Sequence, residues 1–446
     1  MMKELILTLL EAKKFGEARK EIIELNEVDI AELLGELEAD YAIILFRMLP
    51  KDTAVDVFAY LSNEQQIDII NRITDKEIKH IIDELYFDDM IDMLEEMPAS
   101  VVKRILKHTR EEERILINQF LNYPENSAGS LMTIEYVGLK KEMVVKQALA
   151  YIKRTGIDKE TIYTCYVTDD NQKLEGSISL RKLVISDEAV AIGELMETDV
   201  IYAHTHDDQE KIAQLFKKYD LMILPVVDKE RRLTGIITID DIVDVIEQED
   251  TEDFQKMAAI IPSEIQYLST GVVTLARNRI TWLLILMISA TFSGTIIRRF
   301  EDVLSSVVLL AAFIPMLMNT GGNAGAQSST LVIRGLALGK IEISDVLRVI
   351  WKEFRVSVVV GMLLAGFNFL RIYFLEGMDV YISLTVCGTL FVAIVFAKLV
   401  GGILPIIAQR LKLDPAIMAS PLITTIVDAV TLIVYFSLAS KIMGIV

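Results

Sequence analysis

The sequence predicts a multidomain, mainly α-helical protein with an N-terminal helical superhelix or solenoid, an α+β tandem pair of modules and a five-helix transmembrane domain. Three observations predict this fold class: short amphipathic runs over residues 1–129, an internal repeat over residues 131–250, and long apolar stretches after residue 270. Charge divides the chain in the same way. Residues 271–446 contain 14 basic and 9 acidic residues, a net charge of +5, so residues 1–270 carry −24 of the total of −19.

This composition excludes several classes of protein. The 446 residues allow about three domains, and the apolar half excludes a purely soluble enzyme. A nucleic-acid-binding protein is not expected, because contact with phosphates needs a basic surface. The two cysteines, Cys165 and Cys387, lie in different halves, so no disulfide framework is expected and a reducing cytosol fits. The first 22 residues read as an amphipathic helix and not as a signal peptide, so we expect the acidic half in the cytoplasm.

The first 129 residues are helical by pattern. Prolines separate short amphipathic runs, as at Pro50 and Pro98. Aligning these two prolines pairs Val57 with Ile105, and apolar residues recur at matching positions after it. The pattern indicates stacked helical repeats.

The segment over residues 131–250 contains two related copies. Leu131-Met132-Thr133 recurs as Leu195-Met196-Glu197, and each copy continues with an amphipathic helix and two short β-like runs. We predict helices over 144–155 and 209–219, and strands over 163–167, 173–179, 222–227 and 233–238. The two copies look like a tandem pair of CBS modules, which usually form a pseudodimer that senses a nucleotide or another ligand.

Five apolar segments are long enough to cross a membrane, since a spanning helix needs about 20 largely apolar residues. The predicted spans are 280–297, 303–333, 351–374, 381–405 and 415–440. The second contains Pro315 and the polar, glycine-rich stretch 319–327, so we expect a break in that helix that faces protein or water. The alternative is that Gly321, Gly322 and Gly325 are close-packing residues between helices.

Basic residues predict the orientation, because loops on the cytoplasmic side carry more of them. With a cytoplasmic N-terminus, nine basic residues lie inside and four outside, which predicts a C-terminus outside the cell. Those inside are Arg277, Arg279, Arg334, Lys340, Arg348, Lys352, Arg355, Arg410 and Lys412. Those outside are Arg298, Arg299, Arg371 and Lys441, and Lys398 lies within the fourth span.

Asp428 is the most informative residue, since it is the single charge in the fifth span. An ionisable residue within the membrane is a functional candidate, usually facing a bundle interior or water. Pro421 frees backbone carbonyls, and Thr424 and Thr425 add hydroxyl oxygens. Oxygen-rich surroundings around a carboxylate suit Mg²⁺ or Ca²⁺. The alternative is a structural aspartate that is protonated or paired within its helix bundle.

Acidic residues also cluster in the soluble half. Asp88 and Asp92 are four residues apart and therefore share one helix face. A second group follows within a single predicted helix that leads to the first membrane span. Its members are Asp241, Asp244, Glu247, Glu249, Asp250, Glu252 and Asp253. The ordinary interpretation is a solvated helix face; the alternative is a sensor, in which divalent cations bound between repelling carboxylates draw the domains together.

The whole chain resembles the MgtE-type magnesium transporters, which act as Mg²⁺-gated Mg²⁺ channels. The resemblance rests on the order of the domains and on four segments: Ser127–Thr133, Gly321–Gln327 with Pro315, Leu404-Pro405, and Asp414-Pro-Ala-Ile-Met-Ala-Ser-Pro421 followed by Thr424-Thr425-Ile-Val-Asp428. It implies Mg²⁺ uptake across the plasma membrane by a homodimer with the pore on the two-fold axis. Asp428 of each subunit would hold the ion, with Asn323, Thr424 and Thr425 as neighbours.

The resemblance also implies regulation by cytosolic Mg²⁺. Inhibitory ions would bind acidic residues of the cytosolic domains and lock the connecting (plug) helix over the inner mouth of the pore. These residues are Asp88, Asp92, Glu210, Asp220, Asp241, Asp244, Glu249, Glu252 and Asp253. Some relatives bind ATP in the CBS pair, and Thr238 and Asp241 match the residues that hold its ribose. The first module has Ser179-Leu-Arg-Lys182 without the acid, so at most one nucleotide site is expected.

The predicted domain boundaries are 1–129 for the helical domain, 130–194 and 195–250 for the two CBS modules, 251–274 for the connecting helix and 275–446 for the transmembrane domain. Two other functions stay open. One is a transporter or exporter of another divalent cation such as Co²⁺ or Mn²⁺, because oxygen ligands do not distinguish among hard ions. The other is a membrane-anchored nucleotide sensor. An enzyme is not expected, since the chain has no phosphate-binding loop, nucleophile elbow or HExxH helix.

Overall fold

The computed structural model describes residues 2–107, 109–263, 267, 270–418 and 420–444. These form two compact units, Met1–Val245 and Ile246–Val446. Helices predominate in both units, and the first also contains two small sheets.

The N-terminal part of the first unit is an array of short helices. From α3 onward the helices begin at residues 27, 39, 51, 63, 75, 87, 99 and 111, a constant spacing of 12 residues. From α2 to α7, each helix contacts the second one after it, as α3 contacts α5 and α5 contacts α7, which is the stacking expected of a superhelix. The helices are α1 Met2–Glu11, α2 Phe15–Ile23, α3 Glu27–Glu36, α4 Ala39–Met48, α5 Lys51–Ala59, α6 Asn63–Arg72, α7 Asp75–Glu84, α8 Phe87–Glu96, α9 Ala99–Leu106 and α10 Glu111–Phe120.

The turns between these helices explain the 12-residue spacing. Pro50 and Pro98 are the residues directly before α5 and α9, where a missing N–H costs nothing. At α7 the Glu77 carboxylate accepts hydrogen bonds from the Thr74 backbone N–H and hydroxyl, both at 2.7 Å, an arrangement that starts a helix sharply. The predicted repeats are confirmed. Their period of 12 residues is a quarter of the separation between Pro50 and Pro98 in the sequence.

Two modules of the same topology follow. In the first, α11 (Ala128–Leu131) and α12 (Val145–Thr155) accompany a sheet of β1 (Gly138–Leu139), β2 (Thr164–Thr168) and β3 (Leu174–Ser179), and α13 (Leu180–Ile185) closes it. In the second, α14 (Ile192–Leu195) and α15 (Gln209–Tyr219) accompany β4 (Ala203–His204), β5 (Ile223–Val227) and β6 (Leu233–Thr238). In both sheets the first pair of strands is parallel and the second antiparallel, so the predicted duplication is confirmed.

The repeated tripeptides join each module to the other. Thr133 exchanges two backbone hydrogen bonds with Ile236 of the second module, at 2.8 and 2.9 Å, and Glu197 makes the same exchange with Ser177 of the first. A Cβ atom on Gly235 would lie 2.6 Å from the Thr133 carbonyl oxygen. Gly235 is therefore needed because the backbone of Thr133, from the other module, approaches it closely.

The acidic run lies in one helix, as predicted. This helix, α16 (Ile239–Met257), begins in the second module and continues into the second unit. The prediction of a connecting helix over 251–274 is wrong in its extent, because the helix ends at Met257 and the described residues between 258 and 271 are not helical. Ala259 adopts a left-handed φ of 55°, and Pro262 follows, which lacks the N–H needed to continue a helix.

The second unit contains the membrane helices. Among the described residues, five segments are long and apolar enough to span a bilayer: Val272–Arg299, Val308–Ala337, Ile343–Leu375, Val380–Arg410 and Pro421–Met443. They correspond to the five predicted spans. Their helices are α17 Val272–Arg299, α19 Ile314–Ala337, α20 Val346–Leu370, α21 Val380–Arg410 and α22 Ser420–Met443, and a short α18, Glu301–Ser306, lies between the first two.

Helices α19, α21 and α22 pack against one another, α20 packs mainly on α21, and α17 on α22. The predicted break over residues 319–327 is wrong, because α19 continues through it. Pro315 lies in the first turn of α19, where it is tolerated. The glycines serve close packing: a Cβ atom on Gly321 would lie 2.9 Å from Val427, and one on Gly325 would lie 2.6 Å from Ile423.

Candidate metal sites

Two helices carry the predicted residues of the membrane site. A Cβ atom on Gly322 of α19 would lie 2.7 Å from the Thr424 methyl group of α22, so the two helices are in direct contact there. Asn323 is the residue next to this contact on α19, and Asp428 is one turn beyond Thr424 on α22. The sequence motifs at 321–327 and 421–428 are therefore two sides of one helix–helix contact.

On α22, Asp428 is half-buried within the span. The hydroxyls of Thr424 and Thr425 both donate to the carbonyl oxygen of Pro421, at 2.9 and 3.1 Å. Each hydroxyl thereby uses its hydrogen and keeps oxygen lone pairs available as acceptors. The segment thus presents oxygen atoms below a membrane carboxylate, the arrangement expected for binding a hard cation.

On α19, Asn319, Asn323 and Gln327 repeat every four residues, so they share one face, and all three are exposed in the single chain. The Asn323 amide donates to the Asn319 side-chain oxygen at 3.3 Å. A row of amides is unfavourable against lipid, so this face must border protein or water. Neither Asn319 nor Gln327 was predicted as a site residue, although the spacing of four to Asn323 was available in the sequence.

In the first unit, Asp88 of α8 is buried, and its Oδ1 atom has no hydrogen-bond partner. Burial raises the pKa of this carboxyl well above its ordinary value, and the charges of Asp241 and Asp89 raise it further. An unpaired buried acid oxygen is costly. Asp88 therefore lies in a position where a cation or a proton would be strongly favoured.

Asp88 and Asp241 belong to a larger group of acids, the N–CBS carboxylate cluster, formed by Asp88, Asp89, Glu160, Asp240 and Asp241. Burial and the charges of Asp240 and Asp241 raise the pKa of Glu160 to about 7. The pKa of Asp241 is raised to about 6, chiefly by burial. The sequence interpretation missed Asp89, Glu160 and Asp240. Asp89 and Asp240 adjoin predicted residues, but Glu160 lies in the loop between α12 and β2, where no sequence pattern marks it.

Three other predicted ligands, Asp92, Glu210 and Asp220, differ in exposure and position. Asp92 lies on the exposed side of α8, whereas Asp88, one turn earlier, is buried. Glu210 is in the first turn of α15 and Asp220 caps its far end, with a left-handed φ of 50°. At about 1.5 Å per residue, a helix of this length holds the two ends roughly 15 Å apart. One ion cannot contact both within one chain.

The second half of α16 is bound to the ends of two membrane helices within the second unit. Asp250 pairs with Arg334 of α19 at 2.8 Å. Lys256 pairs with Asp414, shortly before α22, at 2.6 Å, and also with Glu252. Burial, and then the charge of Asp414, raises the pKa of Asp253 to about 6. Asp414 belongs to the motif at 414–421, but the sequence did not predict it as a metal ligand.

Asp244 and Glu249 lie between the first turn of α16, which carries Asp241, and the second half of the helix, which carries Asp250 and Lys256. Asp244 is exposed and Glu249 is partly exposed. The charge of Glu249 contributes to the raised pKa of Asp253 one turn later. Glu249 therefore belongs electrostatically with the group around Asp414.

The predicted nucleotide residues contact each other. The Asp241 carboxylate accepts from the Thr238 hydroxyl at 2.7 Å and from its backbone N–H at 3.4 Å. An acid at the third position of a helix commonly makes this contact with the residue before the helix. Asp241 is thus shared between the predicted ribose contact and the N–CBS carboxylate cluster.

Among the described residues, no group of three or more His, Cys, Asp or Glu side chains is arranged to hold a metal ion as it stands. The acids of the N–CBS carboxylate cluster influence one another's pKa values without forming a coordination shell.

Sequence models of three protein families match the chain: the MgtE divalent cation transporter over residues 314–438, the MgtE intracellular N domain over 25–126 and the CBS domain over 192–248. A magnesium transporter MgtE from Thermus thermophilus is 37% identical over 98% of both chains, and one from Bacillus subtilis is 33% identical over 98% of this chain and 96% of its own. This chain belongs to the MgtE family. It is a family of transporters and not of enzymes.

Two solved structures extend the similarity to the fold. The cytosolic domain of the Mg²⁺ channel MgtE in complex with ATP is 36% identical, with a TM-score of 0.51 over 54% of this chain and 99% of that one. The soluble part of a magnesium transporter is 30% identical, with a TM-score of 0.51 over 56% of this chain and 98% of that one. The similarity of fold to these two structures covers a little over half of the chain, and the family model over residues 314–438 covers most of the membrane helices.

Proposed function

We propose that this protein carries Mg²⁺ across the membrane along a path beside Asp428. The observation that carries the proposal is the carboxylate of Asp428 within a membrane helix, one turn from Thr424, which contacts the glycine-rich segment of α19. Mg²⁺ keeps most of its water and is usually bound through one or two carboxylates. Asn323, Thr424 and Thr425 would contact the hydrated ion through their oxygens.

The proposed assembly is a homodimer, with the amide face of α19 turned toward the second copy. Asn319, Asn323 and Gln327 are exposed in the single chain, and a row of amides is unfavourable in lipid. An identical face on a two-fold axis would enclose a polar path and supply a second Asp428. Two carboxylates would repel each other unless a divalent cation lies between them, so the proposed function is that of a channel that favours divalent ions.

The proposed regulation is closure by rising cytosolic Mg²⁺. The N–CBS carboxylate cluster holds acids whose raised pKa values reflect burial and mutual repulsion, and a bound divalent cation would relieve that repulsion. Asp92 and Asp244 extend the cluster along α8 and α16. Glu249, Glu252 and Asp253 would bind ions together with Asp414. Glu210 and Asp220 would act across the dimer, since they do not meet within one chain.

Nucleotide binding is a further part of the proposal. The ATP complex of the relative's cytosolic domain supports nucleotide binding, and the proposed site is at Thr238 and Asp241 of the second module. The proposed location is the plasma membrane, with the N-terminus in the cytoplasm and the C-terminus outside. The excess of basic residues in the predicted inner segments supports this orientation.

Flux into liposomes tests the proposed function. The reconstituted full chain should take up Mg²⁺, and Asp428→Asn should lower the rate at least about tenfold, since the replacement removes the membrane charge. Asp379→Asn is the matched control: Asp379 caps α21 at the membrane edge, and asparagine caps equally well. Equal rates for Asp428→Asn and the wild type would refute the assignment.

The same preparation separates the alternatives. Competing Ca²⁺, Mn²⁺ and Co²⁺ are added in turn, and transport of Co²⁺ or Mn²⁺ without Mg²⁺ would identify a different divalent cation transporter. Binding of ATP in calorimetry with no cation flux would identify a nucleotide sensor. Regulation is tested by Asp241→Asn, Asp244→Asn and Glu249→Gln together, which should leave flux that persists at millimolar internal Mg²⁺.

A further inference from the structure

A lysine is buried in the fourth membrane helix. Lys398 of α21 lies inside a predicted span, and its side chain is almost completely covered, with 5% of the residue exposed. Lysines near the ends of membrane helices extend toward the aqueous interface, but the side chain of Lys398 is covered by protein. A lysine placed in this way needs a partner, because an isolated charge in the membrane is costly.

The partner is reached through a hydroxyl group. The Lys398 ammonium donates to the Ser328 hydroxyl at 3.4 Å, and this hydroxyl donates to the Glu353 carboxylate at 2.6 Å. Ser328 and Glu353 are also buried, at 1% and 9% exposure. The two hydrogen bonds run in one direction, from a cation to a carboxylate. This order is expected of a charge pair bridged by a serine, and each bond in such a chain strengthens the other.

The three residues come from three helices, α19, α20 and α21. Two glycines of α21 allow the approach. A Cβ atom on Gly402 would lie 3.1 Å from the Glu353 side chain, and one on Gly401 would lie 2.2 Å from the Gly325 carbonyl oxygen of α19. Helix α20 packs mainly on α21. The hydrogen bond between Ser328 and Glu353 connects it directly to α19 as well.

We propose that Lys398, Ser328 and Glu353 form a buried, charge-balanced clasp that positions α19. Ser328 lies next to Gln327, the last residue of the amide face of α19, so the clasp sets the height and rotation of that face. These three are positioning residues: none is proposed to touch the ion. The positioning role rests on the proposed Mg²⁺ transport. The charge balance between Lys398 and Glu353 is independent of that function.

Thermal unfolding of the full chain in detergent tests the charge balance. Lys398→Met and Glu353→Gln each leave one buried charge unpaired, and each should lower the Tm by about 5 °C or more. The double variant leaves neither charge and should recover to within about 2 °C of the wild type, because replacing both partners of a buried pair is often neutral. If the Tm losses of the two single variants simply add in the double variant, the proposed clasp is wrong.

Ser357→Ala is the matched control for Ser328→Ala. Ser357 is a fully buried serine of α20 whose hydroxyl donates to the Phe354 carbonyl oxygen of its own helix, at 2.7 Å. Ser328→Ala should lower the Tm more than Ser357→Ala, because it removes the bridge between two charges. Equal changes in Tm for the two variants would mean that the hydroxyl of Ser328 does not bridge Lys398 and Glu353.

Liposome flux tests the positioning role. In Lys398→Met and Glu353→Gln, the half-saturating Mg²⁺ concentration should rise at least about fivefold, and the double variant should return it to within about twofold of the wild type. A lower maximal flux at an unchanged half-saturating concentration would reduce the clasp to a structural role. A wild type without Mg²⁺ flux would refute the proposed function and the positioning role together, and the thermal cycle would still decide the charge pair.

Discussion

The ammonium of Lys256 lies 2.6 Å from the carboxylate of Asp414, although the two residues are 158 positions apart. The contact joins the end of α16 to the segment that leads into α22, the helix that carries Asp428. Lys256 also pairs with Glu252. A lysine therefore holds a position between carboxylates, where a regulatory cation is proposed to bind.

Replacing Lys256 with methionine should change the response to cytosolic Mg²⁺. Without the ammonium, Glu252, Asp253 and Asp414 repel one another, so α16 should separate from the segment before α22 when Mg²⁺ is scarce. We expect flux several-fold above the wild type at low internal Mg²⁺ and normal inhibition at high Mg²⁺, because a divalent ion can replace the lysine. Liposomes loaded with defined Mg²⁺ concentrations measure this.

The control is Lys340→Met, which removes an exposed lysine from the loop after α19. It should leave the dependence on internal Mg²⁺ unchanged. If Lys256→Met behaves like this control, the pairs made by Lys256 are surface contacts without a role in gating.

The N–CBS carboxylate cluster predicts a dependence of stability on pH. The pKa of Glu160 is raised by burial from 4.5 to about 7 in the folded protein. A carboxyl with a raised folded-state pKa stabilises the fold fully below its unfolded pKa, and this stability is lost as the pH rises through the folded value. With EDTA present, the Tm of the unit Met1–Val245 should therefore fall between about pH 4.5 and pH 7.

Glu160→Gln should flatten this pH dependence, because an amide does not titrate. Adding Mg²⁺ at pH 7.5 should recover much of the stability lost by the wild type. Glu188→Gln is the control, since Glu188 is an exposed acid paired with Lys146, and it should keep the wild-type profile. A flat profile in the wild type itself would contradict the raised pKa.

Close packing of α19 and α21 predicts a large effect of one methyl group. In Gly401→Ala the added Cβ would lie 2.2 Å from the backbone oxygen of Gly325, and a backbone atom cannot move aside as a side chain does. We expect the free energy of unfolding to fall by roughly 1–3 kcal/mol or more, measured by thermal unfolding in detergent. Gly366→Ala, at a position with no neighbour within 4 Å, should leave stability unchanged or improve it.

The spans, the duplicated modules and the acidic helix could be predicted because each depends on a local pattern. An apolar run of sufficient length is visible without knowledge of its neighbours, and so is a repeated tripeptide. Glu160 and Asp414 could not be recognised as members of carboxylate groups, since their acidic neighbours lie on distant segments. The glycines of α19 were ambiguous for a similar reason. Whether a glycine breaks a helix or admits a neighbour depends on the partner helix, here α22.

Thr238 separates the two functions proposed for Asp241. In Thr238→Val the hydroxyl that donates to Asp241 at 2.7 Å is absent, while the carboxylate remains in the N–CBS carboxylate cluster. We expect ATP affinity to fall at least about tenfold, since a ribose contact and the orientation of Asp241 are both lost, and inhibition by Mg²⁺ to persist. Calorimetry with ATP and liposome flux measure the two effects on the same preparation.

Thr238→Ser keeps the hydroxyl and should retain ATP binding, whereas Asp241→Asn should impair both ATP binding and inhibition by Mg²⁺. The reasoning depends on charge: a nucleotide site loses affinity with either partner of the hydrogen bond, but a cation site depends on the carboxylate alone. Loss of Mg²⁺ inhibition in Thr238→Val would mean that the hydroxyl orients Asp241 for the ion as well. The nucleotide and the cation would then share one site and compete for it.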